Sequence, residues 1–193
     1  MARVAETLEQ RLFTVEEYHR MAEAGILSPD ERVELIRGVI HAMSPKKRPH
    51  VVGVTGALKL LEKALSGRAS VYQEAPLVLE ELDSEPEPDV LVCSNPDFRV
   101  YGTEATRALL VIEIADSSRS RDLGVKVALY AEAGVPEYWV VDLARRRLVV
   151  FRDPRGGDYQ SRSTLDSGGR VSSVSWPDVI IDVAALLPEL APL

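Results

Sequence analysis

Residues 109–115, Leu-Leu-Val-Ile-Glu-Ile-Ala, are apolar at every position but one. A run that is apolar at both odd and even positions has no side left for water. It therefore reads as a central strand covered on both faces, which calls for a sheet with helices packed against it. The exception, Glu113, sharpens the constraint. An ionised carboxylate in such surroundings is costly unless a cation or a positive side chain compensates it. A second acid, Asp89, follows Pro88 at the head of the shorter apolar run 90–93. Proline is tolerated at a strand start and poor inside a strand, so Asp89 belongs at the rim of the sheet. Glu113 lies late in its own strand, just before a polar stretch. Two neighbouring strands ending together bring the carboxylates close enough to share a hard, oxygen-loving cation such as Mg²⁺, with Mn²⁺ as the substitute. The backbone carbonyl of Ile114 is a candidate third ligand.

Phosphoryl chemistry at such an ion also needs positive charge beside the attacking water. Lys126 is the candidate, on a helix expected to leave the polar stretch 116–120 and run to about Ala133, with Lys126 about two turns in. Its side chain leans towards the helix start and so towards the carboxylates. Glu34 is a fourth candidate, as the single acid in the apolar run Val33-Glu34-Leu35-Ile36; it would bind a second metal or a water. His50 opens a helix after a basic loop, within reach of a phosphate or a water. Each residue has a plainer reading as well. Asp89 caps a turn; Glu113 is salt-bridged to a buried base; Lys126 pairs with Asp122 four residues earlier; Glu34 faces solvent at a hairpin edge. Their co-occurrence favours the functional reading.

Elsewhere the pattern alternates helices and strands. Thr14 and Glu17 have capping-box spacing at the start of a first helix that Gly25 ends. Residues 33–36 and 39–43 flank Arg37-Gly38 as a β-hairpin. Apolar residues recur at helical spacing from about His50 to Leu65. Strands are expected over 71–79, 90–93 and 109–115, and over 137–142. A meander surrounds Gly156-Gly157, and a short helix closes the run 179–187. The order predicts an α/β (α+β) domain, one mixed sheet flanked by helices, over residues 1–193 with a core at about 14–187.

Composition narrows the class. With 193 residues, 46% hydrophobic and 27% charged, the chain suits one domain with a sizeable core. No apolar run reaches the roughly 20 residues of a membrane span, so no membrane association is expected. Residues 1–10 lack the pattern of a secretory signal, and the single cysteine, Cys93, excludes an internal disulfide; the cytoplasm is the expected location. The net charge of −7 argues against broad non-specific nucleic-acid binding without excluding a locally basic cleft. Seven acids and no Lys or Arg fall between Glu74 and Asp89, while bases cluster at 46–48, at Arg119 with Arg121, and at 145–147. The three histidines, His19, His41 and His50, have no metal-pair spacing, and neither a serine-nucleophile elbow nor a phosphate-binding loop is present.

The stretches Glu34-Leu35-Ile36-Arg37-Gly38, Met43-Ser44-Pro45 with His50, Pro88-Asp89, Val111-Ile112-Glu113-Ile114, Arg121-Asp122 to Lys126, Tyr130 and Gly134 to Asp142 together resemble the Uma-type restriction endonuclease family of the PD-(D/E)xK nuclease superfamily. The resemblance spans roughly Thr14 to Leu187. It implies a restriction-endonuclease-like fold, with Asp89 and Glu113 as metal ligands and Glu34 as an additional acid from an N-terminal element. The wider superfamily carries its lysine two residues after the glutamate, where this chain has Ala115; families of this type place it on the following helix, which fits Lys126. The family usually has serine-proline after the glutamate's strand, whereas this chain has Ala115-Asp116-Ser117-Ser118, which adds a negative charge near the site.

These readings lead to a Mg²⁺-dependent endonuclease hydrolysing phosphodiester bonds of nucleic acid, DNA foremost, with Glu34, Asp89, Glu113, Lys126 and His50 at its centre. A homodimer suits the cutting of two strands. The rival is an inactive protein that keeps the nuclease fold and binds nucleic acid or a protein partner. Lys126 paired only with Asp122, away from Glu113, would favour that rival. A third reading is a metal-dependent hydrolase of small phosphoesters.

Overall fold

The computed structural model describes residues 10–94, 108–116 and 119–189. The expected loop over 94–106 lies almost wholly outside the described residues, as do Ser117 and Ser118, which follow Asp116.

Helix α1 (Val15–Glu23) opens with the capping box that Thr14 and Glu17 predict. Strands β1 (Val33–Ile36) and β2 (Val39–Ala42) form an antiparallel hairpin. Its two turn residues, Arg37 and Gly38, both have φ in the left-handed region that tight hairpins require. Helix α2 (Arg48–Ala64) starts with Pro49 in its first turn, a position where a missing N–H is harmless. Strand β3 (Ser70–Gln73) is shorter than the expected 71–79. Pro76 has no N–H to give a ladder, and the chain instead makes an arm in which Leu77 and Leu79 bond back to Pro86 and Ser84.

Strands β4 (Val90–Cys93) and β5 (Ala108–Ala115) are antiparallel, and β5 pairs in parallel with β6 (Glu137–Asp142). Strands β7 (Arg147–Arg155) and β8 (Asp158–Asp166) complete a six-stranded mixed sheet in the order β3-β4-β5-β6-β7-β8. Between β5 and β6 lie α3 (Arg119–Asp122) and α4 (Val125–Glu132). The single expected helix is thus broken at Leu123-Gly124, and Lys126 is the second residue of α4 rather than two turns into a continuous helix. A Cβ on Gly124 would lie 2.6 Å from the Ser120 carbonyl oxygen, so the break closes tightly enough that only glycine fits without a shift. A hairpin of β9 (Arg170–Ser173) and β10 (Trp176–Asp182), which the sequence pattern does not announce, precedes α5 (Val183–Leu186).

Both faces of the sheet are covered, as β5 requires. Leu110, Ile112 and Ile114 pack with α2, α5 and the β9–β10 hairpin, together with Trp139 and Trp176. Val111 and Ala115 pack on the opposite face with Leu129, Tyr130, Tyr138 and Phe151. Alternation along the strand puts Glu113 on this second face, under α4. None of the described helices is long and apolar enough to cross a membrane.

Candidate functional site

Four elements meet at the end of β5. Strand β4 pairs Val90 with Ile112, so Asp89 comes next, level with Glu113. Asp89 Oδ2 accepts the Ile114 N–H at 2.6 Å, a bond that fixes the carboxylate at the strand end. The His50 ring, from the first turn of α2, reaches the same carboxylate, with Nε2 3.0 Å from Oδ1 and 3.1 Å from Oδ2. Lys126 and Tyr130 are one turn apart on α4 and point at the sheet together. Lys126 Nζ donates to Glu113 Oε1 at 2.8 Å, and the Tyr130 hydroxyl reaches the same oxygen at 3.3 Å. Glu34 comes from β1 and is fully buried. Its Oε2 stands 3.1 Å from Lys126 Nζ, an ion pair whose angle falls outside hydrogen bonding, and its Oε1 accepts from Arg121 Nη1 at 2.8 Å.

Five of the six residues singled out in the sequence, Glu34, His50, Asp89, Glu113 and Lys126, line one cleft of about 60 Å³, room for a few waters, while Ile114 is fully buried beside it and does not line it. Of the plainer readings, that of Glu113 as salt-bridged to a buried base is what the structure shows, while that of Glu34 as solvent-facing is not. Glu34 is 0% exposed and Lys126 is 3% exposed, and Lys126 pairs with Glu113 and Glu34. Arg121, Lys46, Lys47 and Glu87 also line the cleft and escaped notice as site residues. Arg121 acts on Glu34 across 87 positions, a separation that spacing along the chain does not reveal. Asp116 faces the cleft too, 3.8 Å from Lys47 Nζ.

The charges are strongly coupled. Burial pushes the Glu113 carboxyl well above the ordinary range; Lys126 opposes that rise, and the negative charges of Asp89 and Asp122 add to it. Burial works against the charge on Lys126, but Glu113, Glu34 and Asp122 outweigh it and hold the lysine above its ordinary value. His50 is raised above 6.5, chiefly by its hydrogen bond to Asp89, with burial opposing.

Among the described residues no three His, Cys, Asp or Glu side chains stand as a ready-made cation site. The donor set still suits magnesium, which typically takes one or two carboxylates and keeps several waters. Asp89 and Glu113 supply two carboxylates close enough for Asp89 to raise the Glu113 pKa, a repulsion that a divalent cation removes.

The profile of a protein family described as "Putative restriction endonuclease" matches residues 15–184. In structure, the chain is similar to a protein from Anabaena variabilis described as a "putative nuclease belonging to DUF820". The TM-score is 0.73 at 15% identity, over 90% of this chain and 97% of that one. The fold is thus that of a nuclease-like neighbour. No curated protein matches the chain in sequence.

Proposed function

Because the chain belongs to the Uma2 family, described as "Putative restriction endonuclease", we propose that it is a metal-dependent endonuclease that hydrolyses phosphodiester bonds of nucleic acid, DNA foremost. The observation that carries this reading is the convergence of Glu34, Asp89, Glu113 and Lys126 in one cleft. Asp89, Glu113 and the Ile114 carbonyl would hold Mg²⁺ or Mn²⁺, with Glu34 as the additional acid. When bound, such an ion polarises the phosphate and lowers the pKa of a coordinated water.

The remaining chemistry belongs to the chain. Water adds to phosphorus, one P–O ester bond breaks, and the leaving oxygen takes up a proton. Lys126 orients or activates the attacking water and offsets charge building on the phosphate. Glu34 and Glu113 both hold Lys126 in place. The Ile114 N–H and His50 fix Asp89, and Tyr130 fixes Glu113. The arrangement that would favour the inactive rival, Lys126 paired only with Asp122 and away from Glu113, is not the one found.

The test is a titration of Mg²⁺ and Mn²⁺ into wild type and Glu113→Ala, reading melting temperature and cleavage of a mixed DNA and RNA panel beside mononucleotides. At a hundredfold excess over Kd, binding is expected to stabilise wild type by about 2.7 kcal/mol, a shift of roughly 5–10 °C. Cleavage and shift are both expected to vanish in the variant. Cutting that survives in Glu113→Ala would refute the assignment, and cutting confined to mononucleotides would replace it with a small-phosphoester hydrolase.

A further inference from the structure

The basic clusters at 46–48 and 145–147 are far apart in the sequence, and the fold brings them to the same end of the sheet. Strands β5 and β6 are parallel, with Ala115 beside Asp142, so their C-terminal ends lie side by side, one strand spacing apart. The turn after β6 is tied to β5 by a Leu143 N–H donating to the Ala115 carbonyl at 3.1 Å. Gly53, in the first half of α2, packs against the same place. A Cβ there would lie 2.8 Å from Ile114 Cγ2 and 3.9 Å from Leu143 Cδ2. The α2 start, carrying Lys46 and Lys47 before it, thus borders both the cleft and the arginine turn.

The turn is built rather than loose. Asp142 is fully buried. Its Oδ1 accepts the Arg145 N–H at 3.2 Å, and its Oδ2 lies 3.6 Å from Arg145 Nη1 and 3.5 Å from Arg147 Nε. Arg146 sits at φ 47, and its Nη1 donates to the Pro188 carbonyl at 3.3 Å. Arg145 and Arg146 are exposed. Asp142 partly balances Arg145, as Glu74 does Lys46 and Asp116 does Lys47, yet in a chain of net charge −7 these exposed bases gather at the end of the sheet where the cleft opens, and a surface of that sign draws a polyanion.

Resting on the nuclease reading above, we propose that this rim is the substrate's docking surface. Lys46, Lys47 and Arg121 hold backbone phosphates next to the scissile one, and Arg145 and Arg146 hold phosphates further along the same strand. The contacts are to phosphates, so binding is expected to be indifferent to base sequence and steeply dependent on salt.

The test is fluorescence anisotropy of the full chain with a labelled short DNA duplex, its single strand and an RNA of the same sequence. It is run in Ca²⁺ across a salt series, with probe integrity checked on gels. The double variants R145Q/R146Q and K46Q/K47Q are each expected to weaken binding several-fold, and to lower the slope of log affinity against log salt by about 1 per lost contact. R145K/R146K keeps the charge and is expected to bind close to wild type. Arg155 lies at the far end of β7, at the opposite end of the strands from the arginine turn, and R155Q is expected to change nothing. The proposal is overturned if R145Q/R146Q binds as wild type does with an unchanged slope, or if R155Q weakens binding as much. It is equally overturned if wild type binds none of the probes. The Glu113→Ala cleavage result judges the nuclease reading separately. The DNA and RNA arms tell which backbone the rim takes.

Discussion

His50 and Asp89 form the most informative pair at the scale of single residues. Their hydrogen bond favours the charged imidazolium, so the histidine titrates above its ordinary 6.5. The stability this pair contributes is fully present below about pH 6.5 and is lost as the pH rises through the raised value. Proton NMR of the His50 ring is expected to show a midpoint above 6.5 in wild type. In Asp89→Asn the midpoint should fall to or below 6.5, since burial alone lowers it. Mg²⁺ drawn to Asp89 is expected to move the wild-type midpoint downward, whereas a midpoint indifferent to both changes would detach His50 from the site.

The unit of interest at the scale of elements is the break between α3 and α4. A continuous helix would carry Lys126 on a smooth path from residue 119; the bend at Gly124 re-aims α4 so that Lys126 and Tyr130 drop onto Glu113. Gly124→Ala forces a Cβ against the Ser120 carbonyl. It is expected to cost about 1–3 kcal/mol, read as a lower urea midpoint at unchanged slope. The variant should also blunt the metal-dependent rise in melting temperature, because the lysine shifts with the helix. Such elements show what the sequence reveals and what it hides. The β1–β2 turn, the strands around Asp89 and Glu113, and the pairing of a buried acid with a lysine were legible because turn chemistry and alternation are local. The break was not, because Gly124 sits inside an otherwise periodic run. Arg121 was not, because its partner lies on a distant hairpin. The β9–β10 hairpin was not, because its strands are short and half polar.

At the scale of the whole molecule, buried polar ties decide how the parts hold together. The β9–β10 hairpin lies over one face of the sheet and is pinned there by Glu137, whose fully buried carboxylate accepts from Trp139 Nε1, Arg152 Nε and the Val174 N–H at 2.7–2.9 Å. Arg152 also donates to the Ser172 carbonyl, at 2.5 Å. Glu137→Ala orphans these donors and is expected to lower stability by about 3 kcal/mol in chemical denaturation. The metal-dependent shift should persist, since Glu137 does not line the cleft; loss of both would mean that the hairpin also shapes the site.

Glu34 reaches the cleft on a hairpin that is not part of the main sheet. That hairpin is moored to the acidic arm through Leu35 with Glu85, Gly38 with Asp83 and Arg37 with Ser84, and to the helical side through Arg121 and Lys126. A chain still leaving the ribosome can form the hairpin early, yet the centre is complete only once residue 126 has emerged and folded back over it. On the nuclease reading, a partly emerged chain therefore lacks the lysine of its cleft, and any cutting waits until residues 119–132 have folded.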